Sequence, residues 1–219
     1  MTVDLRVVED PARAAAELLA AAAVPGAHVA VSGGSTVGAA FAAAARLRPD
    51  WGGVHVWFGD DRAVPPDDER SNYRLARETL LDALATTPEV HRIRGEAGAD
   101  EAADLYDAEV EGIVLDLALN GIGPDGHTAS LFPHAPGLEE TARRAIAVEA
   151  GYEPFVSRVT LTPPVFAQAR LLLYLVVGEA KADAASRAFG GEPSAATPAS
   201  VVRGRTTVAL LDAAAASLL

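Results

Sequence analysis

Short apolar runs alternate along the chain with longer stretches in which apolar residues recur at helical spacing. Residues 28–32 (HVAVS), 54–59 (VHVWFG), 115–120 (LDLALN) and 171–177 (LLLYLVV) read as buried strands, and 158–161 (RVTL) and 207–212 (TVALLD) as further β-rich runs. Helices are predicted over about 11–23, 37–45, 71–84, 100–110 and 179–189, with an alanine-rich helical tail after residue 212. Asp10 can cap the first helix, Pro11 suits its first turn, and Pro25-Gly26 stops it; Ser71 can cap the third. The loop 60–70 follows the second strand. Strands this apolar belong in a parallel sheet buried on both faces, and strand–helix alternation is the mark of a doubly wound α/β fold. The expectation is one domain, residues 1–219, with a mostly parallel sheet and helices on both faces. No internal repeat interrupts it, and the Gly/Pro/Ser/Ala-rich stretch 190–198 reads as a surface loop.

Composition narrows the class. With 219 residues, half of them hydrophobic, the chain can bury one substantial core. It has no cysteine, so disulfides and thiolate metal sites are excluded. Residues 1–10 carry Asp4, Arg6, Glu9 and Asp10 and do not resemble a signal peptide, and the alanine runs 14–23 and 39–45 are too short to span a membrane. A soluble cytoplasmic protein is expected, a monomer or small homo-oligomer with no membrane partner. The net charge of −12 speaks against nucleic acid. An anionic ligand would have to be held by cations gathered locally.

Three polar clusters fall at predicted strand ends, where open parallel sheets bind ligands. The first is Ser32-Gly33-Gly34-Ser35-Thr36, opening a helix. Such a turn can hold an anion on backbone N–H groups and hydroxyls. It is neither a Walker loop nor a G-x-G-x-x-G fingerprint, and a plain βα turn with a Ser/Thr cap fits it equally. The second runs from Trp57 through Asp60-Asp61-Arg62 to Pro65, with Ser71-Asn72-Tyr73 closing the loop. Its carboxylates and arginine could hold a sugar or a water, or form a salt bridge within a solvated turn. The third is residues 120–133, NGIGPDGHTASLFP. A lone histidine is more often structural, but His127 in a glycine-rich loop after a strand suits general-base work. Asp125 is expected to fix that loop or orient a polar partner. The five histidines form no H-x-x-x-H pair, so a catalytic zinc is not expected.

In this order and spacing the clusters resemble the 6-phosphogluconolactonase family, whose hallmarks are SGGST, a D-E-R-x-V-P loop with SNY, and G-x-G-x-D-G-H-T-A-S-L-F-P. Further matches lie at 91–96, 158–162 and 177–182, so the likeness runs from Ser32 to Ser200. The resemblance implies a fold shared with glucosamine-6-phosphate deaminases and ribose-5-phosphate isomerases. It implies hydrolysis of 6-phosphoglucono-1,5-lactone, a step of the oxidative pentose phosphate pathway, with His127 as the base that activates water and with no cofactor or metal. It also implies a phosphate site built from the SGGST loop, Arg158 and Lys181, with Arg62 nearby and Asp60 in the substrate pocket. Asp61 stands where the family usually has Glu, which points to a structural role. Asn120 replaces a commonly apolar residue, and residues 111–115 are shortened.

Two other readings share the fold. A glucosamine-6-phosphate deaminase would resemble its family in carrying a glutamate just after the histidine and D-E-Y in the second loop. Here residues 128–133 hold no carboxylate and Arg62 replaces the tyrosine. A sugar-phosphate sensor of a transcription regulator would need a basic DNA-binding domain, for which this chain has no spare segment.

Overall fold

The computed structural model describes residues 2–34 and 36–219. The first half of the chain contains strands β1 (Val3–Val7), β2 (His28–Val31), β3 (His55–Phe58), β4 (Asp60–Arg62) and β5 (Glu89–Val90). Helices α1 (Pro11–Ala22), α2 (Val37–Leu47), α3 (Asn72–Thr79) and α4 (Ala99–Glu109) lie among and after them. Then follow β6 (Leu117–Asn120), β7 (Ala145–Val148), β8 (Arg158–Leu161), α5 (Pro163–Gln168), β9 (Leu171–Val176), α6 (Ala182–Ala185), α7 (Pro198–Val201) and β10 (Thr206–Leu211).

Seven strands form one sheet in the order β1-β10-β9-β6-β2-β3-β5, and every pairing in it is parallel. This is the doubly wound α/β sheet that the apolar strands predict. Its centre is shut off from water: Val29, Val56, Leu117, Leu119, Leu172 and Leu173 are all fully buried. From β2 the chain builds outward through β3 and β5, then returns to place β6 on the other side of β2 and continues to β9 and β10. The β2–β6 boundary is therefore the topological switch point, where loops leaving adjacent strands diverge and open a crevice.

Helix starts follow the caps. The Asp10 carboxylate accepts from Arg13 N–H at 2.9 Å, and Ser71 Oγ accepts from Arg74 N–H at 3.2 Å. Helix ends depart more. The helix expected to reach residue 84 stops at Thr79, because Leu80 and Leu81 turn into the core. The stretch 179–189 is helical but changes pitch, from a 3-10 turn through α6 to a π turn at Ser186–Gly190. The alanine-rich tail after residue 212 forms turns instead of a helix. The Asp212 carboxylate takes Ala215 N–H (2.7 Å) together with Gly178 N–H (3.1 Å).

A second, antiparallel sheet, β4-β8-β7, stands beside the first. Asp60-Asp61-Arg62 is thus a strand where a loop was expected, paired residue for residue with Thr160, Val159 and Arg158. No helix among the described residues is long and apolar enough to cross a membrane.

Candidate active site

The crevice beyond the carboxyl ends of β2 and β6 brings the three clusters together. Ser32, Gly33, Gly34, Thr36, Asp60, Arg62, His127, Arg158 and Lys181 all line one cleft. Ser35 lies outside the described residues, and Asp125 sits directly behind His127.

Residues 121–127 leave β6 as a tight turn in which Gly123 N–H bonds the His127 carbonyl (2.8 Å). Asp125 folds back so that its Oδ1 lies 2.6 Å from His127 Nδ1 and 3.2 Å from His127 N–H. A side chain at position 123 could not be accommodated: its Cβ would lie 2.1 Å from His127 Nδ1 and 2.6 Å from Asp125 Oδ1. Burial pushes the Asp125 carboxyl up, but the hydrogen bond and charge of His127 outweigh it and hold it below the ordinary value. An ionised Asp125 on Nδ1 fixes the tautomer in which Nδ1 carries the proton and Nε2 is free to take one. Phe132 and Tyr152 flank the ring, with centroids 5.0 and 5.7 Å away. Arg187 clamps the turn from the helical stretch after β9, donating to the carbonyls of Pro124 (3.0 Å) and Asp125 (3.3 Å).

The turn after β2 is locked to its neighbours by buried polar groups. Ser32 Oγ donates to Asn120 Oδ1 (3.2 Å), and Asn120 Nδ2 donates to Thr128 Oγ1 (3.1 Å). Asn120, fully buried at the end of β6, therefore ties the first cluster to the third. Gly33 is required by close approach, since a Cβ there would sit 1.8 Å from Asn72 Oδ1. Thr36 occupies the N-cap position of α2, and among the described residues its side chain makes no capping bond.

The two aspartates of β4 divide in role. Asp61 points away from the cleft and accepts from Ser71 Oγ and from the N–H groups of Arg62, Asn72 and Tyr73, at 2.6–3.1 Å. It anchors the start of α3, which accounts for a structural role. Burial pushes its pKa up to about 6 against those backbone donors. Asp60 lines the cleft but is also held, by Ser130 Oγ (2.6 Å) and Asn72 Nδ2 (3.2 Å). The turn that aims Ser130 at it passes through Ala129 at φ 49, a left-handed conformation costing roughly 1–3 kcal/mol in a non-glycine residue.

Three cations face the cleft. Arg62 and Arg158 are direct partners across the β4–β8 ladder. Like charges so placed repel unless an anion lies between them. Arg158 is buried, with Phe132 under its guanidinium at 5.2 Å; it donates to the carbonyls of Tyr152 (2.7 Å) and Pro154 (3.2 Å). Burial and the Arg62 charge both lower its pKa. Arg62 donates to the Arg70 carbonyl (2.9 Å) and to Asn72 Oδ1, and Lys181 Nζ to the Ile122 carbonyl (2.8 Å). The Lys181 pKa is lowered by burial, with Asp125 opposing. Among the described residues none of the three pairs with a carboxylate, and the buried Nε atoms of both arginines lack a partner. Uncompensated buried positive charge is costly and is relieved by a bound anion.

Sequence reasoning missed Asn72, Asn120 and Ser130 as site-builders, although all three lie inside the quoted motifs. It also missed Arg187, and Tyr152 and Glu153 in the cleft wall, which belong to no motif.

Comparison with known proteins identifies the family. The family model described as "Glucosamine-6-phosphate isomerases/6-phosphogluconolactonase" matches residues 5–210. The 6-phosphogluconolactonase of Mycobacterium leprae is 40% identical over 183 residues, 77% of this chain and 74% of that protein. The solved 6-phosphogluconolactonase of Leishmania guyanensis superposes with a TM-score of 0.84 at 25% identity, covering 98% of each chain. A monomeric glucosamine-6-phosphate deaminase superposes with a TM-score of 0.87 over the whole of both chains; at 21% identity it shows the fold alone. Backbone likeness therefore does not separate hydrolase from deaminase, and the side chains must.

Proposed function

Since the chain belongs to the glucosamine-6-phosphate isomerase/6-phosphogluconolactonase family, we propose that its 219 residues form one catalytic domain, a cytoplasmic 6-phosphogluconolactonase that opens 6-phosphoglucono-1,5-lactone without a metal. The observation that carries this reading is the Asp125–His127 pair, 2.6 Å apart, in the same cleft as three cations that have no carboxylate partner among the described residues.

The chemistry follows from the groups. His127 Nε2 takes a proton from a water as that water attacks the lactone carbonyl carbon. Asp125 keeps the ring oriented and stabilises the imidazolium that forms. The tetrahedral intermediate collapses with rupture of the bond to the ring oxygen, to which His127 returns the proton. The acid product ionises at neutral pH, so one proton is released per turnover. Arg158, Lys181 and Arg62 hold the phosphate, with the Ser32–Thr36 turn supplying neutral donors. A deaminase reading lacks support, because residues 128–133 offer no carboxylate beside the histidine.

The test is proton release from 6-phosphoglucono-1,5-lactone in weak buffer with a chelator present. Turnover well above spontaneous opening is expected. No acceleration would remove the assignment, and activity lost to chelator but restored by a divalent ion would remove the metal-free mechanism.

A further inference from the structure

A second cluster of chemically capable side chains lies at the other end of the sheet. His28 and His55 are the first residues of β2 and β3, so they sit at the amino ends of strands whose carboxyl ends open into the cleft. From His55 to Asp60 the chain advances roughly 15 Å. The parallel register sets His28 beside His55 and His55 beside Glu89. Residues two apart share a sheet face, so His55 and Trp57, and Glu89 and His91, all project toward one side. There the rings stack: His28 on His55 with centroids 4.5 Å apart, and His91 on Trp57 at 3.9 Å.

Donor atoms converge within this stack. His55 Nδ1 lies 3.0 Å from His91 Nε2 and 3.4 Å from Glu89 Oε2, and all three atoms fall within 4.8 Å of one another. In a tetrahedral zinc site, with metal–ligand bonds near 2.0–2.1 Å, ligand atoms are separated by about 3.3 Å. The other nitrogen of His91 meets Glu109 Oε1 at 2.7 Å, the carboxylate–histidine arrangement that orients metal-bound imidazoles. Trp57 Nε1 donates to His28 Nδ1 at 3.0 Å, which fixes the ring stacked against His55. The imidazoles of His55 and His91 are partly open to solvent and Glu89 is largely exposed, so an ion has a path in and a water can complete its shell. Glu89 and Glu109 together offset a divalent charge.

The geometry points to a divalent transition-metal site of the zinc class, with His55 Nδ1, His91 Nε2 and the Glu89 carboxylate as ligands and Glu109 as the residue that positions His91. Glu109 places the neutral His91 proton on Nδ1, leaving Nε2 with a lone pair. His55 must then carry its proton on Nε2, giving up the one it shares with His91 when no ion is present. The site is distant from the lactone chemistry, and its role is to pin β5 and α4 to the edge of the sheet.

Titration of chelator-stripped protein with Zn2+ by calorimetry, and with Co2+ by visible absorption, tests this directly. We expect one ion per chain, a four-coordinate Co2+ spectrum and a rise in thermal midpoint with Zn2+. His55→Ala and His91→Ala should abolish binding, and Glu109→Gln should weaken it roughly ten- to a hundredfold. Glu89→Gln keeps the size of a largely exposed side chain, and should weaken binding at least about tenfold. His127→Ala should bind as the parent does. Binding that survives Glu89→Gln and His55→Ala, or that disappears with His127→Ala, would overturn the proposal. So would an absence of binding by the parent protein, which would leave the cluster as a hydrogen-bonded stack only.

Discussion

Two histidine–carboxylate pairs occupy opposite ends of one sheet, and in both the carboxylate meets Nδ1 of its histidine. Asp125 meets His127 Nδ1 at 2.6 Å, and Glu109 meets His91 Nδ1 at 2.7 Å. What differs is the surroundings of the second nitrogen. His127 shares an open cleft with Arg62, Arg158 and Lys181, whereas His91 Nε2 faces another imidazole 3.0 Å away. The first environment suits an anionic substrate and a proton in transit; the second suits a cation held by two rings. A histidine–carboxylate contact therefore names no function. The charge and access around the free nitrogen do that.

The sharpest way to break the contrast is to remove each histidine. His127→Ala should lower kcat by roughly two to four orders of magnitude with a smaller change in KM, while His91→Ala leaves steady-state kinetics unchanged. A near-normal kcat for His127→Ala would move the base elsewhere. Asp125→Asn keeps the size of the side chain and removes a charge-assisted hydrogen bond worth about 1.5–3 kcal/mol, so kcat should fall roughly ten- to a hundredfold. Equal kcat in both forms would reduce Asp125 to a loop-former.

The cations should behave differently from the base. The phosphate lies at the far end of the sugar from the lactone carbonyl, so its contacts hold ground and transition states nearly alike. Lys181→Ala and Arg158→Ala should raise KM by roughly tenfold or more, exceeding the loss in kcat. The same substitutions should cost much less against unphosphorylated glucono-1,5-lactone. Equal losses on the two substrates would show that these cations do not read the phosphate.

The smallest expected effect is on stability and belongs to Asp61. Its folded pKa of about 6 exceeds the ordinary 3.8, so the native state keeps a proton that the unfolded chain releases. The stability it contributes is complete below about pH 4 and is lost as pH rises through about 6, with a slope of at most about 1.4 kcal/mol per pH unit. Asp61→Asn should flatten the thermal midpoint across that window. An unchanged slope would mean that Asp61 is ionised throughout.

Local chemistry determined a great deal. Apolar runs marked the central strands and Asp10 and Ser71 marked helix starts, whereas the Asp125–His127 contact belongs to the folded turn 121–127, in which Gly123 clears their space. The β4-β8-β7 sheet was not legible, since a three-residue strand of charged side chains has no hydrophobic alternation, and only pairing with β8 makes it one. That pairing alone sets Arg62 against Arg158. Spacing along the chain gave no sign of a histidine pair, yet His55 and His91, 36 residues apart, meet because β3 and β5 are neighbours in register. The sequence by itself determined which residues can ionise, cap or turn, since those are properties of a few adjacent residues. Tertiary structure alone decided which of them share a cleft, because strand order joins segments that no local pattern connects.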